Sequence, residues 1–293
     1  MWIDAHAHLN STQVSELDAW LMDAKKQGIG HWILGGVNPD EWQTQKELSQ
    51  KYPQTFKLSF GLHPWFIAQS DSKTLEAAFL KLKNELACKN SDAVAPDRVS
   101  LDSLDVDSLD IVALGELGLD FNPKLPLSSY DTQRKYFIKQ LELLNSNPMP
   151  LVLHVLDAHD EALITLRRHG AHYQGIVHSY SGTLAQAEQY LDLGFKISFS
   201  YSVLSRIKTN PQNPGKAFDR LKAIVVSLKP SDFVLETDAP DQPPKGADLN
   251  HPLNLIELAK IISEMRAEPW TQILDQSTKN LKQIFYGNTN LQK

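Results

Sequence analysis

Short apolar runs rich in β-branched residues recur along the whole chain, and apolar residues three and four positions apart fill the stretches between them. The first pattern predicts buried strands and the second predicts amphipathic helices. Eight runs predict strands: WIDAH, HWILGGV, FKLSFGLH, DIVALGE, PLVLHV, GIVHSY, FKISFS and FVLETD. Helices are predicted in SELDAWLMDAKKQG, TLEAAFLKLKNELA, TQRKYFIKQLELL and LAQAEQYLDLG. This alternation is typical of an α/β protein with parallel strands.

Eight strands that each lead to a helix, over 293 residues, predict a (β/α)8 TIM barrel that forms a single domain over residues 1–293. A doubly wound open sheet is the alternative, and it is less favoured because no GxGxxG or GxxxxGK[ST] turn follows a strand. Local signals mark several helix ends. Gly28 and Gly194 are predicted C-terminal caps, and Ser128 and Thr183 are predicted N-caps.

Two regions depart from the alternation of strands and helices. Residues 89–109 contain aspartates among small and aliphatic residues, which predicts an inserted acidic loop before the fourth strand. A solvated insertion is the simpler interpretation, with calcium binding or a partner site as alternatives. Near the C-terminus, NLIELAKIISEM and WTQILDQSTKNLKQIF predict two further helices separated by Pro269. We expect the second of them to pack over the outside or the end of the barrel.

Composition narrows the classes of protein only slightly. The chain is 42% hydrophobic and 22% charged, has a net charge of -6, and carries one cysteine, Cys88, which predicts a free surface thiol. Neither a signal-peptide pattern nor a run of about 18 apolar residues is found, so we expect a cytoplasmic protein without membrane association. The negative charge argues against broad attraction to nucleic acid, although a local positive mouth stays possible. Nothing implies an obligate protein partner.

Polar side chains that bind metals stand at the ends of the predicted strands. His6 and His8 are two residues apart and therefore share one face of the first strand. Taken alone, such a pair is equally typical of a polar strand end. Because the carboxyl ends of barrel strands meet at one mouth, six side chains are expected to converge there. They are His6, His8, Glu116, His154, His178 and Asp238.

Imidazole and carboxylate ligands suit divalent zinc, manganese, magnesium or iron, and six of them exceed the needs of one catalytic ion. We therefore expect two ions, with a shared carboxylate between them, which activate water as hydroxide for hydrolysis. Serine and cysteine nucleophiles are disfavoured, because SYSG is not a GxSxG elbow. His63 in GLHP is a candidate substrate contact. The remaining candidates, His31, His159, His169 and His172, are expected to be surface or structural residues away from the mouth.

With these residues in view, the chain resembles the TatD family of metal-dependent deoxyribonucleases, a branch of the amidohydrolase-like barrels. The motifs that carry the resemblance are DAHAHL, GLHP, GELGLD, LVLH, IVHSYSG and LETDAP, spread from residue 4 to residue 240. ETDAPD is most similar to the YjjV-like branch. The resemblance implies that His6 and His8 hold one metal, His154 and His178 hold a second, and Glu116 bridges them. It also implies that Asp238 binds metal and orients the attacking water.

Three departures from the family pattern concern the expected phosphate contacts. Leu156 stands where the family usually has arginine, Ser200 and Tyr201 end the seventh strand, and Asn250 and His251 replace an Arg-Asn pair. Candidate substitutes for the missing cations are Lys124, Arg134, Arg206, Lys208 and Lys245. The leading hypothesis is a dinuclear hydrolase of phosphodiester bonds in DNA. The alternatives are ester or amide hydrolysis, such as deacylation of D-aminoacyl-tRNA, and a non-catalytic metal-binding scaffold.

Overall fold

In the computed structural model, eight parallel strands are hydrogen-bonded in chain order. They are β1 (Trp2–Ala7), β2 (Ile29–Gly36), β3 (Phe56–Phe60), β4 (Ile111–Asp120), β5 (Leu151–Leu156), β6 (Gly175–Val177), β7 (Phe195–Ser200) and β8 (Phe233–Glu236). Just beyond β8, the amide of Asp238 donates to the carbonyl of His6 at 3.0 Å, which joins the last strand to the first. The predicted (β/α)8 barrel is thereby confirmed and the open sheet is excluded. The structure describes residues 1–9, 16–91, 111–170, 172–201, 215–244 and 246–285.

Helices follow the strands around the outside of the barrel. In the described ranges they are α1 (Leu17–Lys26), α2 (Pro39–Lys51), α3 (Pro64–Gln69), α4 (Ser72–Ser91), α5 (Ser129–Glu142), α6 (His159–His169), α7 (Leu184–Asp192), α8 (Gly215–Ser227), α9 (Asn254–Arg266) and α10 (Trp270–Phe285). None of the helices described has the length and apolar character needed to cross a membrane. The predicted acidic insertion overlaps the end of α4 at residues 89–91, and the rest of it lies outside the described residues, as does the side chain of Cys88.

The core has two layers, one between the strands and the helices and one inside the barrel. Small and branched side chains such as Ile3, Ala5, Ile33 and Val152 fill the inner layer. The last helix, α10, adds Leu281, Ile284 and Phe285 to this inner layer. Its polar side chains also accept hydrogen bonds from the strands, since Ser277 Oγ accepts from the amide of Leu235 at 2.9 Å. The predicted second C-terminal helix therefore closes the end of the barrel at which the strands begin.

Most of the local signals for helix ends match the structure. Gly28 and Gly194 follow α1 and α7 with φ angles of 96°, a left-handed conformation that glycine adopts without strain. Thr183 forms a capping box with Gln186 at the start of α7. Ser128 occupies the predicted N-cap position of α5, but it has helical angles and its side chain makes no capping hydrogen bond. A turn that begins at Pro126 leads the chain into α5 instead, and the hydroxyl of Ser129 donates to the Pro126 carbonyl at 2.6 Å.

Candidate metal centre

All six predicted ligands meet near the carboxyl ends of the strands. His6 is the last residue but one of β1, and His8 follows that strand directly. His154 lies in β5, His178 follows β6, and Asp238 lies two residues beyond β8. The placement of Glu116 differs from the prediction that it ends the fourth strand, because β4 continues to Asp120. Pairing of β4 with β5 is irregular between Gly115 and Leu117, at the position of the ligand. Glu116 is thus a buried residue within a long strand rather than at its tip.

The carboxylate of Glu116 lies between two groups of imidazoles. Its Oε1 is 3.2 Å from His6 Nε2 and 3.3 Å from His8 Nε2. Its Oε2 is 3.0 Å from His178 Nε2 and 3.6 Å from His154 Nδ1. A single carboxylate therefore faces a first group, which we define as His6, His8 and Asp238, and a second group, which we define as His154 and His178.

In the first group, Asp238 Oδ1 lies 3.4 Å from His8 Nε2 and 3.9 Å from His6 Nε2. The other ring nitrogen of His8, Nδ1, is 3.1 Å from the carbonyl oxygen of Gly35. A carbonyl can only accept, so Nδ1 of His8 carries a proton and donates to it. Nε2 is therefore the nitrogen of His8 that faces the two carboxylates, and it would coordinate a cation that displaces its proton. Gln242 Nε2 donates to the second oxygen of Asp238 and fixes the orientation of that carboxylate.

In the second group, the ring nitrogen of each histidine that does not face Glu116 contacts another carboxylate. Asp120 Oδ2 lies 3.0 Å from His154 Nε2 and also accepts a hydrogen bond from Trp65 Nε1 at 2.7 Å. Glu236 Oε1 lies 3.1 Å from His178 Nδ1. Such carboxylates fix the tautomer and the ring orientation of metal-binding histidines. One nitrogen of His154 and one of His178 are thereby left to face Glu116.

Buried charges in the cluster stabilise one another. Burial alone would raise the pKa of Glu116, but the charges of His6 and His178 hold it well below its usual range. Burial would likewise raise the pKa of Asp238, but its contact with His8 holds that pKa below the usual range. Conversely, burial would lower the pKa of His8, and the contact with Asp238 together with the charge of Glu116 raises it to about 10. The carboxylates are anionic and would attract a cation that displaces protons from the imidazoles.

The residues of the first group fit a divalent ion. Glu116 Oε1 and Asp238 Oδ1 are buried and have no hydrogen-bond partner of acceptable geometry in the described part of the chain. A buried acceptor without a partner costs free energy, and a cation coordinated by both oxygens would offset that cost. Gly35 leaves room beside them, because a Cβ there would lie 2.6 Å from His6 Nε2 and 3.0 Å from Glu116 Oε1. Imidazole nitrogens and carboxylate oxygens are ligands that zinc, manganese and iron accept.

His63 also reaches the cluster, but as a hydrogen-bond donor. Its ring packs edge-on against His154 with centroids 4.2 Å apart, and its Nε2 is 3.9 Å from Glu116 Oε2. Its Nδ1 accepts a hydrogen bond from the amide of Trp65 at 3.0 Å. Burial lowers the pKa of His63 to about 3, so the ring is neutral and its single proton is on Nε2. In this tautomer Nε2–H can donate to a ligand in the mouth. His63 also lies close enough to Glu116 and His154 for the three to hold a metal ion, which would require Nε2 to lose that proton.

The sequence reasoning missed the carboxylates that hold the second group. Asp120 stands four residues after Glu116 on the same strand, and Glu236 stands two residues before Asp238. Even spacing along a strand places side chains on one face, so a period-two search from the predicted ligands could have found both. No comparable signal pointed to Gln242, because it follows β8 in an irregular segment. His159 was expected away from the mouth, but it starts α6 directly after β5 and is buried on the mouth side.

A cavity of about 530 Å³, which we call the mouth cavity, opens above the second group. His154, His178, Trp65 and Asp120 line it, together with Leu156 and the cations Lys124 and Arg220. Of the other candidate cations, Arg134 is paired with Glu161 and Asp131, and Arg206, Lys208 and Lys245 lie outside the described residues. Arg220 was not among the predicted cations, since nothing in the sequence indicates that α8 borders the mouth.

The other departures from the family pattern have structural roles. Ser200 Oγ shares a hydrogen bond of 2.9 Å with Ser179, and Tyr201 is buried. Asn250 Nδ2 donates to the carbonyl of Thr237 at 2.7 Å, and the ring of His251 packs on Trp20. Each of these side chains is engaged with the protein itself.

Barrel and cluster together define the class, since this fold with a buried set of imidazoles and carboxylates at the strand ends is that of a metal-dependent hydrolase. A family model described as TatD related DNase matches residues 3–286, and the chain belongs to that family. It is 27% identical over 287 residues to the protein named uncharacterized metal-dependent hydrolase YjjV of Escherichia coli (strain K12), with 97% of each chain covered.

Two further comparisons agree with this membership. The chain is 28% identical over 291 residues to a protein of Erwinia billingiae named 3'-5' ssDNA/RNA exonuclease TatD, which covers 96% of this chain and 98% of the relative. The crystal structure of YJJV, the TatD homolog from Escherichia coli K12, matches with a TM-score of 0.78 and 25% identity over 97% of both chains. The similarity therefore extends along nearly the whole length of the chain.

Proposed function

We propose that this chain is a divalent-metal-dependent hydrolase that cleaves phosphodiester bonds in DNA with two metal ions. The carboxylate of Glu116 carries the proposal, because its two oxygens face two different groups of imidazoles at 3.0 to 3.6 Å. One carboxylate between two ligand sets is the arrangement expected of a bridging ligand. Relatives in the same family named as a metal-dependent hydrolase and as a ssDNA/RNA exonuclease support this reaction class.

In this proposal His6, His8 and Asp238 hold one ion, His154 and His178 hold the other, and Glu116 is shared. The ions are zinc, manganese, magnesium or iron. When bound, they supply Lewis-acid polarisation of the scissile ester and lower the pKa of water to roughly 7.

Asp238 is the residue proposed to orient the attacking water. Its carboxylate is buried, is held anionic by His8, and is fixed through one oxygen by Gln242. The other oxygen, Oδ1, has no hydrogen-bond partner in the described part of the chain. It can accept a hydrogen bond from the water and then its proton, as the water oxygen bonds to phosphorus and the ester bond to the leaving oxygen breaks. The leaving oxygen takes up a proton to complete the hydrolysis.

His63 is the residue proposed to contact the substrate phosphate. Its Nδ1 is occupied by the Trp65 amide, so its Nε2–H is a donor fixed at the edge of the cluster. A neutral donor suits a phosphate oxygen on which charge increases during the reaction. It also contributes no positive charge that would compete with the cations for Glu116.

Hydrolysis of a carboxylic ester, such as deacylation of D-aminoacyl-tRNA, is the second candidate. One observation favours it: Leu156, at the position where the family usually has arginine, lines the mouth cavity. An apolar side chain there contributes no cation for a scissile phosphate and suits a carbon-based ester. The same oriented water would attack a carbonyl carbon rather than phosphorus.

The test is a screen of metal-depleted protein reconstituted separately with zinc, manganese, magnesium and iron. Substrates are a single-stranded oligonucleotide, bis(4-nitrophenyl) phosphate and D-aminoacyl-tRNA, and Glu116→Gln is the control variant. We expect cleavage of the oligonucleotide by the wild type and loss of cleavage in Glu116→Gln. Release of amino acid with intact oligonucleotide would establish the second candidate instead. Bound metal by elemental analysis after reconstitution, with no activity on any substrate, would indicate the non-catalytic metal-binding scaffold.

A further inference from the structure

A second cavity lies beside the mouth cavity, and the two share one wall. This side cavity has a volume of about 430 Å³, and Phe121, Asp157, His159 and Asp160 are among the residues that line it. Three residues line both cavities: Ser181, Gly182 and Arg220. We call these three residues the ridge. A chain-like ligand bound at the metal cluster could continue across the ridge into the side cavity.

The cation of the ridge is not engaged with the protein. Arg220 lies in α8 and is exposed, and within the described ranges it forms neither an ion pair nor a hydrogen bond. Arg134 in α5 shows the contrast, because Glu161 and Asp131 hold it in place. A free guanidinium beside a ligand-sized cavity is well suited to bind phosphate through charge-assisted hydrogen bonds.

The hydroxyl of the ridge is backed by a buried imidazole. His159 Nε2 is 3.4 Å from Ser181 Oγ, and His159 Nδ1 is 3.3 Å from the hydroxyl of Tyr190. Burial lowers the pKa of His159 to about 4, so its ring is neutral and carries a single proton. The single hydroxyl proton of Tyr190 can go to Nδ1 at 3.3 Å or to the carbonyl of His159 at 3.5 Å. When Tyr190 donates to Nδ1, the shorter contact, Nε2–H donates to Ser181 Oγ, and the hydroxyl proton of Ser181 is left for a ligand. The ridge thus offers donors to an anion.

The side cavity itself repels anions. Asp157, Asp160 and Glu161 line it, and Arg220 on the ridge is its single cationic side chain among the described residues. Glu161 is neutralised by Arg134, and Asp160 accepts a hydrogen bond from Gln186 at 2.8 Å. Asp157 has neither an ion pair nor a side-chain hydrogen bond within the described residues, so its carboxylate keeps its charge and its acceptor capacity. A phosphate would therefore bind on the ridge and not deeper in the side cavity.

We propose that the ridge, through the side chains of Ser181 and Arg220, binds the phosphate next to the scissile one, and that the uncharged sugar and base of that nucleotide occupy the side cavity. This inference rests on the proposed phosphodiesterase function and specifies a substrate longer than a single phosphodiester. It assigns the missing phosphate contact to α8, a different element from those that carry the family's arginine positions at Leu156 and at Asn250.

The test compares Arg220→Gln with wild type on two substrates and in one binding measurement. Binding of a labelled single-stranded phosphorothioate oligonucleotide to the metal-loaded protein is followed by fluorescence anisotropy over a range of salt concentrations. We expect Kd to rise about tenfold in the variant, the loss typical of a hydrogen bond to a charged group. The slope of log K against log salt should fall by about 0.7, the value for one phosphate contact on a single strand.

Turnover on bis(4-nitrophenyl) phosphate separates the ridge from the metal cluster. This substrate has one phosphate, so its kcat/KM should stay within about twofold of wild type in Arg220→Gln, while the oligonucleotide KM rises. Ser181→Ala should raise the oligonucleotide Kd about threefold, as expected for one neutral hydrogen bond. Arg168→Gln is the matched control, because Arg168 is exposed in the last turn of α6, at the opposite end of the barrel.

Each outcome decides between the ridge and other roles for Arg220. Equal oligonucleotide binding by wild type and Arg220→Gln would overturn the inference, as would an equal loss of kcat/KM on both substrates. Hydrolysis of neither phosphodiester by the wild type would refute the proposed function separately. In that case the anisotropy measurement still decides whether the ridge binds a nucleic acid strand.

Discussion

The two groups of ligands around Glu116 differ in how their atoms are held. In the first group the side chains of His6, His8 and Asp238 are 0%, 12% and 3% exposed, and Asp238 Oδ1 and the facing Glu116 Oε1 lack hydrogen bonds in the described part of the chain. In the second group the side chains of His178 and His154 are 4% and 19% exposed. Carboxylates stand behind both of its histidines, and the mouth cavity opens directly above them.

This difference separates a closed site from an open one. The closed first group has buried acceptors that a cation would satisfy, so an ion bound there would be retained and would contribute to stability. Ligands of the open second group are fixed by hydrogen bonds before any ion arrives, and they face the mouth cavity. We therefore expect the ion of the first group to bind more tightly and the ion of the second group to exchange.

Asp238→Asn is expected to have the largest effect, a loss in kcat of about 10³-fold or more. The substitution hardly changes side-chain volume but removes an anionic ligand and the acceptor for the proton of the attacking water. Metal content measured by elemental analysis should fall from two ions per chain to one. Steady-state kinetics on the oligonucleotide and circular dichroism report activity and fold separately. Wild-type turnover in this variant would refute the role assigned to Asp238.

Gly35→Ala tests whether the closed group holds an ion, because the added methyl group would occupy the space beside His6 and Glu116. The added Cβ would lie 2.6 Å from His6 Nε2, so that ring or Glu116 must move by a substantial fraction of an ångström. A displacement of that size at a reacting centre costs about 100-fold in rate. We expect the first ion to be lost and the second to be retained, as measured by metal titration calorimetry.

Gly30→Ala is the matched control on the same strand, because the three atoms nearest to a Cβ there all belong to the side chain of Met1. Met1 is 74% exposed and can move aside. Two retained ions in Gly35→Ala, with normal activity, would show that the first group is not the closed site described here.

The ligands of both groups could be predicted from the sequence, whereas the contacts that orient the ligands of the open group could not. The ligands follow from two rules that need only the order of elements: side chains two apart share a strand face, and strand ends meet at one mouth. Those rules place His6, His8 and Asp238 without any knowledge of packing. The fourth strand ends at Asp120 rather than at the predicted Glu116, but this error did not affect the predicted ligand, since Glu116 still faces the interior of the barrel.

The open group depends on contacts between distant segments, which a single sequence does not reveal. Which nitrogen of His154 faces the cluster is decided by Asp120, and Asp120 is in turn held by Trp65 from another element. The approach of Arg220 depends on how α8 packs against the barrel. Ser128 shows the same limit on a smaller scale, because the turn at Pro126 overrides the local preference of serine for a capping hydrogen bond.

Asp120→Asn should weaken the open group selectively. The variant keeps a hydrogen-bond acceptor at position 120 but loses the negative charge of the aspartate. Burial alone would lower the pKa of His154, and the contact with Asp120 raises it above its usual value. Removing such a partner of a metal-binding histidine costs about tenfold in affinity or activity. Metal titration should show a weaker second ion and an unchanged first ion. Trp65→Phe, which removes only the hydrogen bond that holds Asp120, should have a smaller effect, and equal weakening of both ions would contradict the division into two groups.

The smallest expected effect is the pH dependence of stability that His159 contributes. Unlike the histidines of the cluster, His159 forms no ion pair with a carboxylate within the described residues. Burial lowers the pKa of His159 to about 4, whereas an unfolded histidine has a pKa of about 6.5. Because the unfolded chain binds the proton first, His159 adds to stability above pH 6.5, and this contribution is lost as the pH falls towards 4. Between pH 7 and pH 5.5 the loss from this residue is roughly 1 kcal/mol in the free energy of unfolding.

Urea unfolding of wild type and His159→Gln at the two pH values measures this loss. Acid also releases metal from the cluster, but both proteins share that effect, so it cancels in the difference between them. We expect the stability of the wild type to fall by roughly 1 kcal/mol more than that of the variant. An equal fall in both would mean that His159 titrates as it does in the unfolded chain. The imidazole behind Ser181 would then not be the neutral donor that the ridge requires.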